Sequence, residues 1–163
     1  MIVASAPARA GVIGNPTDGY GGSLISCTLN CRATARITEC PRLELCFGGQ
    51  ETVIRDERDL KLDSGVFDIA RSVIRYLRIS GRKFRLEGFS DVPFRSGLAG
   101  STAMLAATFG AVSRFLGQDV NPYQTAETIR YIELNYMDIQ CGYQDQYMTV
   151  FGGMNYLDFR TKE

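Results

Sequence analysis

Three groups of residues in this chain have types and spacings that could do chemistry. The first is the run Pro93-Phe94-Arg95-Ser96-Gly97-Leu98-Ala99-Gly100-Ser101-Thr102-Ala103, where a glycine loop opens into an apolar segment that begins with two hydroxyl residues. If that segment is a helix, its first N–H groups lack intrahelical partners and its positive end faces the loop, which suits an anion and most naturally a phosphate. The hydroxyls of Ser101 and Thr102 could ligate a magnesium ion carried on such phosphates. No lysine precedes the hydroxyl pair, so this is not a Walker A loop. It also reads as an ordinary loop with Ser101 as helix cap.

The second group is Arg9 with the turn Asn15-Pro16-Thr17-Asp18-Gly19-Tyr20. An arginine and an aspartate flanking a glycine-rich turn could orient a polyhydroxylated substrate, with Asp18 accepting hydrogen bonds from hydroxyls. Asp18 capping its own turn is the plainer reading. The third is Glu133 together with Gln144-Asp145-Gln146. The chain contains no histidine, which removes Ser-His-Asp triads, Cys-His dyads and histidine metal sites. A proton must then move on a carboxylate, Lys, Tyr or Cys, and Glu133 and Asp145 are candidates for a metal ligand and a base. Acids so placed also occur as plain solvated surface.

The elements that must position these groups read as an α+β order. Residues 2–6 form a short apolar strand ending at Pro7, and 10–22 hold five glycines and a proline and read as a long loop. Segments 23–30, 32–39, 42–47 and 51–55 alternate or are β-branched and read as an antiparallel run. Asp63 or Ser64 caps a helix over about 65–79, with Val66, Ile69, Ala70, Val73, Ile74 and Leu77 on one stripe. A strand over 83–89 and the glycine loop of 91–100 lead to a buried, nearly all-apolar helix from Ser101 to about Leu116. Asn121 and Pro122 open another helix, to about Asn135. A turn or short helix at 143–149 and a strand at 154–159 complete the order.

Length and composition set the outer bounds. One domain is expected from 163 residues, and folding at that size removes roughly 70% of the chain's surface from water. Eighteen basic residues balance eighteen acidic ones, which argues against nucleic acid or an anionic membrane as partner. The first residues lack a basic segment followed by an apolar run, and no stretch approaches the roughly 20 apolar residues of a membrane span. Five cysteines without a CxxC pair read as free thiols in a reducing, cytoplasmic setting.

Taken together the motifs resemble a known family. Ala6-Pro7-Ala8-Arg9 through Gly14-Asn15-Pro16-Thr17-Asp18-Gly19-Tyr20 is similar to the first signature of the GHMP small-molecule kinases, which include galactokinase, homoserine kinase and mevalonate kinase. Pro93 to Ala103 resembles their phosphate loop, with one extra residue at Ala99-Gly100 and Ser101-Thr102 in place of a serine pair. Glu133 and the segment from Gly142 to Phe159 resemble the block that holds the catalytic aspartate. The resemblance implies the family's ribosomal-protein-like α+β fold, a mixed or antiparallel sheet packed on helices. It implies transfer of the γ-phosphoryl group of ATP to a hydroxyl. Asp145 would be the base and Arg9 would position and neutralise charge. Pro93, Ser96, Gly97, Leu98, Ala99, Gly100, Ser101, Thr102 and Ala103 would bind ATP, and Ser101, Thr102 and Glu133 would hold Mg2+. Asn15, Asp18, Gly19 and Tyr20 would contact the substrate. The Gly-Asn-Pro-Thr-Asp turn is most similar to glucuronokinases, and the block around Asp145 to heptose-phosphate kinases, so a sugar or sugar acid is expected ahead of mevalonate or homoserine. A sensor that binds sugar and ATP without turnover is the alternative. The family's second, C-terminal domain has no counterpart in residues 1–163, and is expected in cis or as a partner.

Overall fold

The computed structural model describes residues 1–161. Its strands are β1 (Ile2–Ile13), β2 (Ser23–Thr38), β3 (Leu43–Phe47), β4 (Gln50–Ile54), β5 (Phe84–Ser90) and β6 (Met154–Asp158). Its helices are α1 (Asp68–Leu77), α2 (Gly100–Phe115), α3 (Pro122–Asn135) and α4 (Gln144–Phe151). Two 3-10 turns cover Thr17–Tyr20 and Glu57–Leu60. The sheet order is β1-β2-β5-β3-β4, and β6 pairs with the first half of β2. β3 and β5 run parallel and the other pairs antiparallel, so the sheet is mixed, within what the family resemblance implies. The antiparallel run expected over 23–55 is interrupted, because β5 lies between β2 and β3.

The small residues of α2 explain its burial. Ala103, Ala106, Ala107 and Ala111 belong to one core with Ala6, Ala33 and Ala35 of the sheet, and small side chains on both surfaces let helix and sheet approach closely. A Cβ on Gly110 would lie 3.6 Å from the Ala4 Cβ, which shows how near the two surfaces run. α2 therefore crosses beneath β1 and β2, and its start lies at the end of the sheet where Arg9 sits. Among the described residues no helix is long and apolar enough to cross a membrane.

Several boundaries differ from the sequence reading. Pro7 does not end β1, because β1 pairs only with β2 and a residue without an N–H is tolerated on an edge strand. The register instead shifts between Pro7 and Arg9, and the strand continues to Ile13, which puts Arg9 on a strand rather than beside a loop. The segments 23–30 and 32–39 are one long strand, β2. α1 starts at Asp68, not 65, because Asp63 is drawn into an ion pair with Arg71 at 2.9 Å and Ser64 has a left-handed φ of 61°. α2 starts at Gly100 behind Ala99, itself left-handed at φ 60°, so Ser101 lies inside the first turn and does not cap it.

Candidate active site

Arg9 is the joint of the site. Its backbone N–H donates to the Leu98 carbonyl at 3.1 Å and its Nη1 to the Gly97 carbonyl at 2.8 Å, which fastens β1 to the glycine loop. The rest of the guanidinium turns to α4, with Nε 2.7 Å and Nη2 2.5 Å from Asp145 Oδ1. Both contacts fall on Oδ1. Burial pushes the Asp145 carboxyl above its ordinary value, partly offset by the neighbouring Arg9 charge.

The glycine loop ends in two left-handed residues, Gly97 at φ 72° and Ala99 at φ 60°. Such a conformation costs a non-glycine residue about 1–3 kcal/mol, so Ala99 is held there by its surroundings. No side chain caps the start of α2. Its first amides therefore remain available to a ligand, at the positive end of a 16-residue helix.

Behind the loop, Thr102 Oγ1 donates to Glu133 Oε1 at 2.6 Å, and Gln146 Nε2 donates to Glu133 Oε2. Glu133 is 2% exposed, and burial raises its pKa against these two donors. The same burial, with Glu133 nearby, pushes the Cys141 thiol up to about 12, so this cysteine is a poor nucleophile. The Gln146 Oε1 is buried without a partner.

Asp18 is almost fully buried, and its Oδ2 accepts from the backbone N–H groups of Tyr143 at 2.7 Å and Gln144 at 2.9 Å. The expected own-turn cap is thus replaced by a cap on α4, 125 residues away. Gln144 extends the tie, donating from Nε2 to Ser26 Oγ at 2.9 Å, while Ser26 donates to the Ala10 carbonyl at 2.9 Å.

Two clefts meet at this point. The smaller, about 530 Å3, is bounded by Asn15, Asp18, Gly19, Tyr20, Glu133, Gln140 and Gln144. The larger, about 900 Å3, follows the glycine loop past Phe47, Val66, Ile69, Phe89, Phe94 and Met104. Arg9, Ser101 and Asp145 line both. The structure so gathers Arg9, Asp145, Gly97 to Thr102, Glu133 and the Asn15–Tyr20 turn around one junction. Pro93 and Ser96 line the larger cleft as well, the Ser96 hydroxyl donating to the Pro93 carbonyl at 2.7 Å. Ala103 stands apart: its amide closes the first turn of α2 onto the Ala99 carbonyl and its side chain is buried in the core.

Sequence reasoning missed several residues of these clefts. Val66 reads as part of a helix stripe, yet it precedes α1 and is exposed at the larger cleft. Gln146, named in the sequence only for its place beside Asp145, lines neither cleft and instead lies buried behind them, donating to Glu133. Gln140 and Ile139 lie in a segment without regular structure, where spacing carries no information.

The GHMP kinases N terminal domain family model matches residues 65–153. The chain is 28% identical to the D-glycero-alpha-D-manno-heptose 7-phosphate kinase of Campylobacter jejuni, over 94% of this chain and 49% of that protein. It is 28% identical to the galactokinase of Thermotoga maritima, over 94% of this chain and 45% of that one. A solved D-glycero-D-manno-heptose 1-phosphate kinase from Bacteroides thetaiotaomicron superposes with a TM-score of 0.85 at 27% identity, covering 98% of this chain and 56% of its own. The chain spans about half the length of the curated relatives it matches. With the uncapped start of α2 beside Arg9 and Asp145, and a family match over more than half of its residues, this chain belongs to the GHMP kinase N-terminal domain family.

Proposed function

We propose that this chain carries the catalytic half of an ATP-dependent kinase that phosphorylates a hydroxyl of a sugar-like small molecule. The observation that carries the reading is the Arg9–Asp145 pair at the junction of two clefts, next to the open start of α2. In this reading the larger, more apolar cleft takes the nucleotide, with its phosphates over the amides from Gly97 to Thr102. The acceptor occupies the smaller cleft. Its hydroxyl proton passes to Asp145 Oδ2 as the oxygen bonds to the γ-phosphorus and the bond to the departing ADP oxygen breaks. Arg9 fixes the base through Oδ1 and holds positive charge beside the transferring group, and such positioning and charge stabilisation are most of what phosphoryl transfer requires.

Ser101, Thr102 and Glu133 offer only oxygen ligands, which fits a hard cation such as Mg2+ that is shared with substrate phosphates. When bound, the ion neutralises charge on the phosphates. Thr102, held by Glu133, keeps the Glu133 carboxylate turned toward the start of α2.

The acceptor cleft favours a polyol by its planar polar groups, Asn15, Gln140 and Gln144, and by the exposed Tyr20 ring at its rim. It holds three carboxylates, Asp18, Glu133 and Asp145, against a single guanidinium that is already engaged. An uncharged sugar therefore suits this half of the site better than a glucuronate-like acid or a phosphorylated heptose, which would need cations from outside residues 1–163. The test is ADP release by the polypeptide its gene encodes, across hexoses, hexuronates and hexose phosphates. We expect sugar-dependent turnover that Asp145→Asn lowers by about 10²–10⁴-fold. Turnover untouched by Asp145→Asn would remove the base, and with it the reason to prefer an enzyme over a sensor.

A further inference from the structure

We propose that Asp18 is a positioning residue for the base: its carboxylate is the strut through which the acceptor-side turn fixes Asp145. The proposal rests on the kinase reading for the role of Asp145, but the strut itself is a matter of geometry. α4 has eight residues, and no side chain of its own N-cap, Tyr143, closes its start. A helix that short does not hold itself together in water. Asp18 Oδ2 takes the two amides at that start, Tyr143 N–H and Gln144 N–H, and Asp145 is the next residue. One carboxylate thus sets where the α4 backbone begins, and Arg9 sets where the Asp145 side chain points.

The fit around the strut is tight. A Cβ built on Gly142 would stand 2.0 Å from Asp18 Oδ2 and 3.1 Å from the Gly19 nitrogen, so only glycine lets the chain pass. Arg130 secures the same residue from the far side, donating from Nε to the Gly142 carbonyl at 2.8 Å. Asp18 also lies within the Thr17–Tyr20 turn, whose Gly19 and Tyr20 line the acceptor cleft. The turn that meets the acceptor and the helix that carries the base are therefore joined through this one side chain. A ligand for sugar hydroxyls, the role expected from the sequence, does not require its Oδ2 to be spent on two backbone amides.

Three variants test the strut. Asp18→Asn retains an acceptor oxygen for the amides and Asp18→Ala does not, asparagine being as good a cap as aspartate. Gly142→Ala keeps the aspartate at position 18 but forces its carboxylate away from the α4 amides. We expect Asp18→Ala and Gly142→Ala to lower kcat by about 10²-fold with little change in acceptor KM, and Asp18→Asn to restore most of the loss. A rise in KM at unchanged kcat in both Asp18 variants would make Asp18 a substrate ligand and overturn the proposal. Amide hydrogen exchange is the second measurement, and needs no turnover: the Tyr143 and Gln144 amides should exchange faster in Asp18→Ala and Gly142→Ala, and near the parent rate in Asp18→Asn. Unchanged exchange in Asp18→Ala overturns the strut even if kcat falls. Absence of ADP release from the parent protein with every sugar would instead remove the kinase reading, while exchange still decides the strut.

Discussion

Glu133 shows at the residue scale how a buried charge is held and what it costs. Its carboxylate is enclosed, accepts from Thr102 and Gln146, and faces no cation at ion-pair distance among the described residues. Burial, aided by the Asp145 charge, outweighs the Thr102, Gln146 and Cys141 groups that hydrogen-bond the carboxylate, so the folded protein holds the Glu133 proton more tightly than the unfolded chain does. The sign for stability follows. As pH rises from the ordinary glutamate value of 4.5 through the higher folded value, the unfolded chain releases this proton first and the folded state loses ground. Glu133→Gln removes that loss. The new amide can still accept from Thr102, and the Gln146 Oε1, now buried without a partner, can accept from its N–H groups if the Gln146 amide turns over. Denaturant unfolding at several pH values should therefore find the variant as stable as the parent or more so, with the gap widening as pH rises. A variant less stable at pH 8 than at pH 4 relative to the parent would mean that Glu133 is held by more than these donors. Nucleotide turnover should fall in the same variant, because the carboxylate available to a cation is gone.

The elements of the fold differ in how plainly they are written in the chain. α3 is legible to the residue, because Asn121 accepts from the Tyr123 N–H at 2.9 Å and Pro122 takes the first helical position. The run of small and apolar residues in α2 likewise announces a buried helix. β1 is not legible, since whether Pro7 ends a strand depends on which neighbours the strand has, and that is decided by topology. The parallel pairing of β3 with β5 is hidden for the same reason. In the site, the motif residues were legible as a set, while the cap that Asp18 gives α4 was not, because it joins segments 125 residues apart. Close packing between elements also yields a test. A Cβ on Gly88 of β5 would stand 2.1 Å from Cε1 of the buried Phe47 on β3, with no positive φ to confuse the effect, whereas one on Gly81 meets nothing. Gly88→Ala should then cost about 1–3 kcal/mol by forcing Phe47 aside, and Gly81→Ala should be neutral or slightly stabilising. Equal stabilities for the two variants would show that the β3–β5 contact is looser than described.

For the whole molecule, the decisive property is that every group assigned to the phosphates lies within residues 1–161, though the chain spans about half the length of its relatives. The uncapped α2 start, the Arg9 guanidinium and the Ser101–Thr102–Glu133 oxygens are held by contacts internal to this fold. The larger cleft also presents Phe94, 88% exposed, with Phe89 and Val66 beside the loop. That is apolar surface suited to covering by a base or by further chain. Nucleotide binding should therefore not need other residues to begin, and a ligand that binds only the folded state raises its stability by mass action. With ATP and magnesium at a hundred times the dissociation constant the gain is about 2.7 kcal/mol, which for a domain of this size raises Tm by about 5–10 °C. The increase should be smaller with ATP alone, because the phosphates then meet Glu133 without an intervening cation. Gly97→Val should reduce it as well, since a branched side chain resists the left-handed φ of 72° that shapes the loop. A Tm that ignores ATP at all concentrations, or that rises equally in Gly97→Val, would detach the phosphates from the start of α2 and leave Arg9 and Asp145 without a reaction to serve.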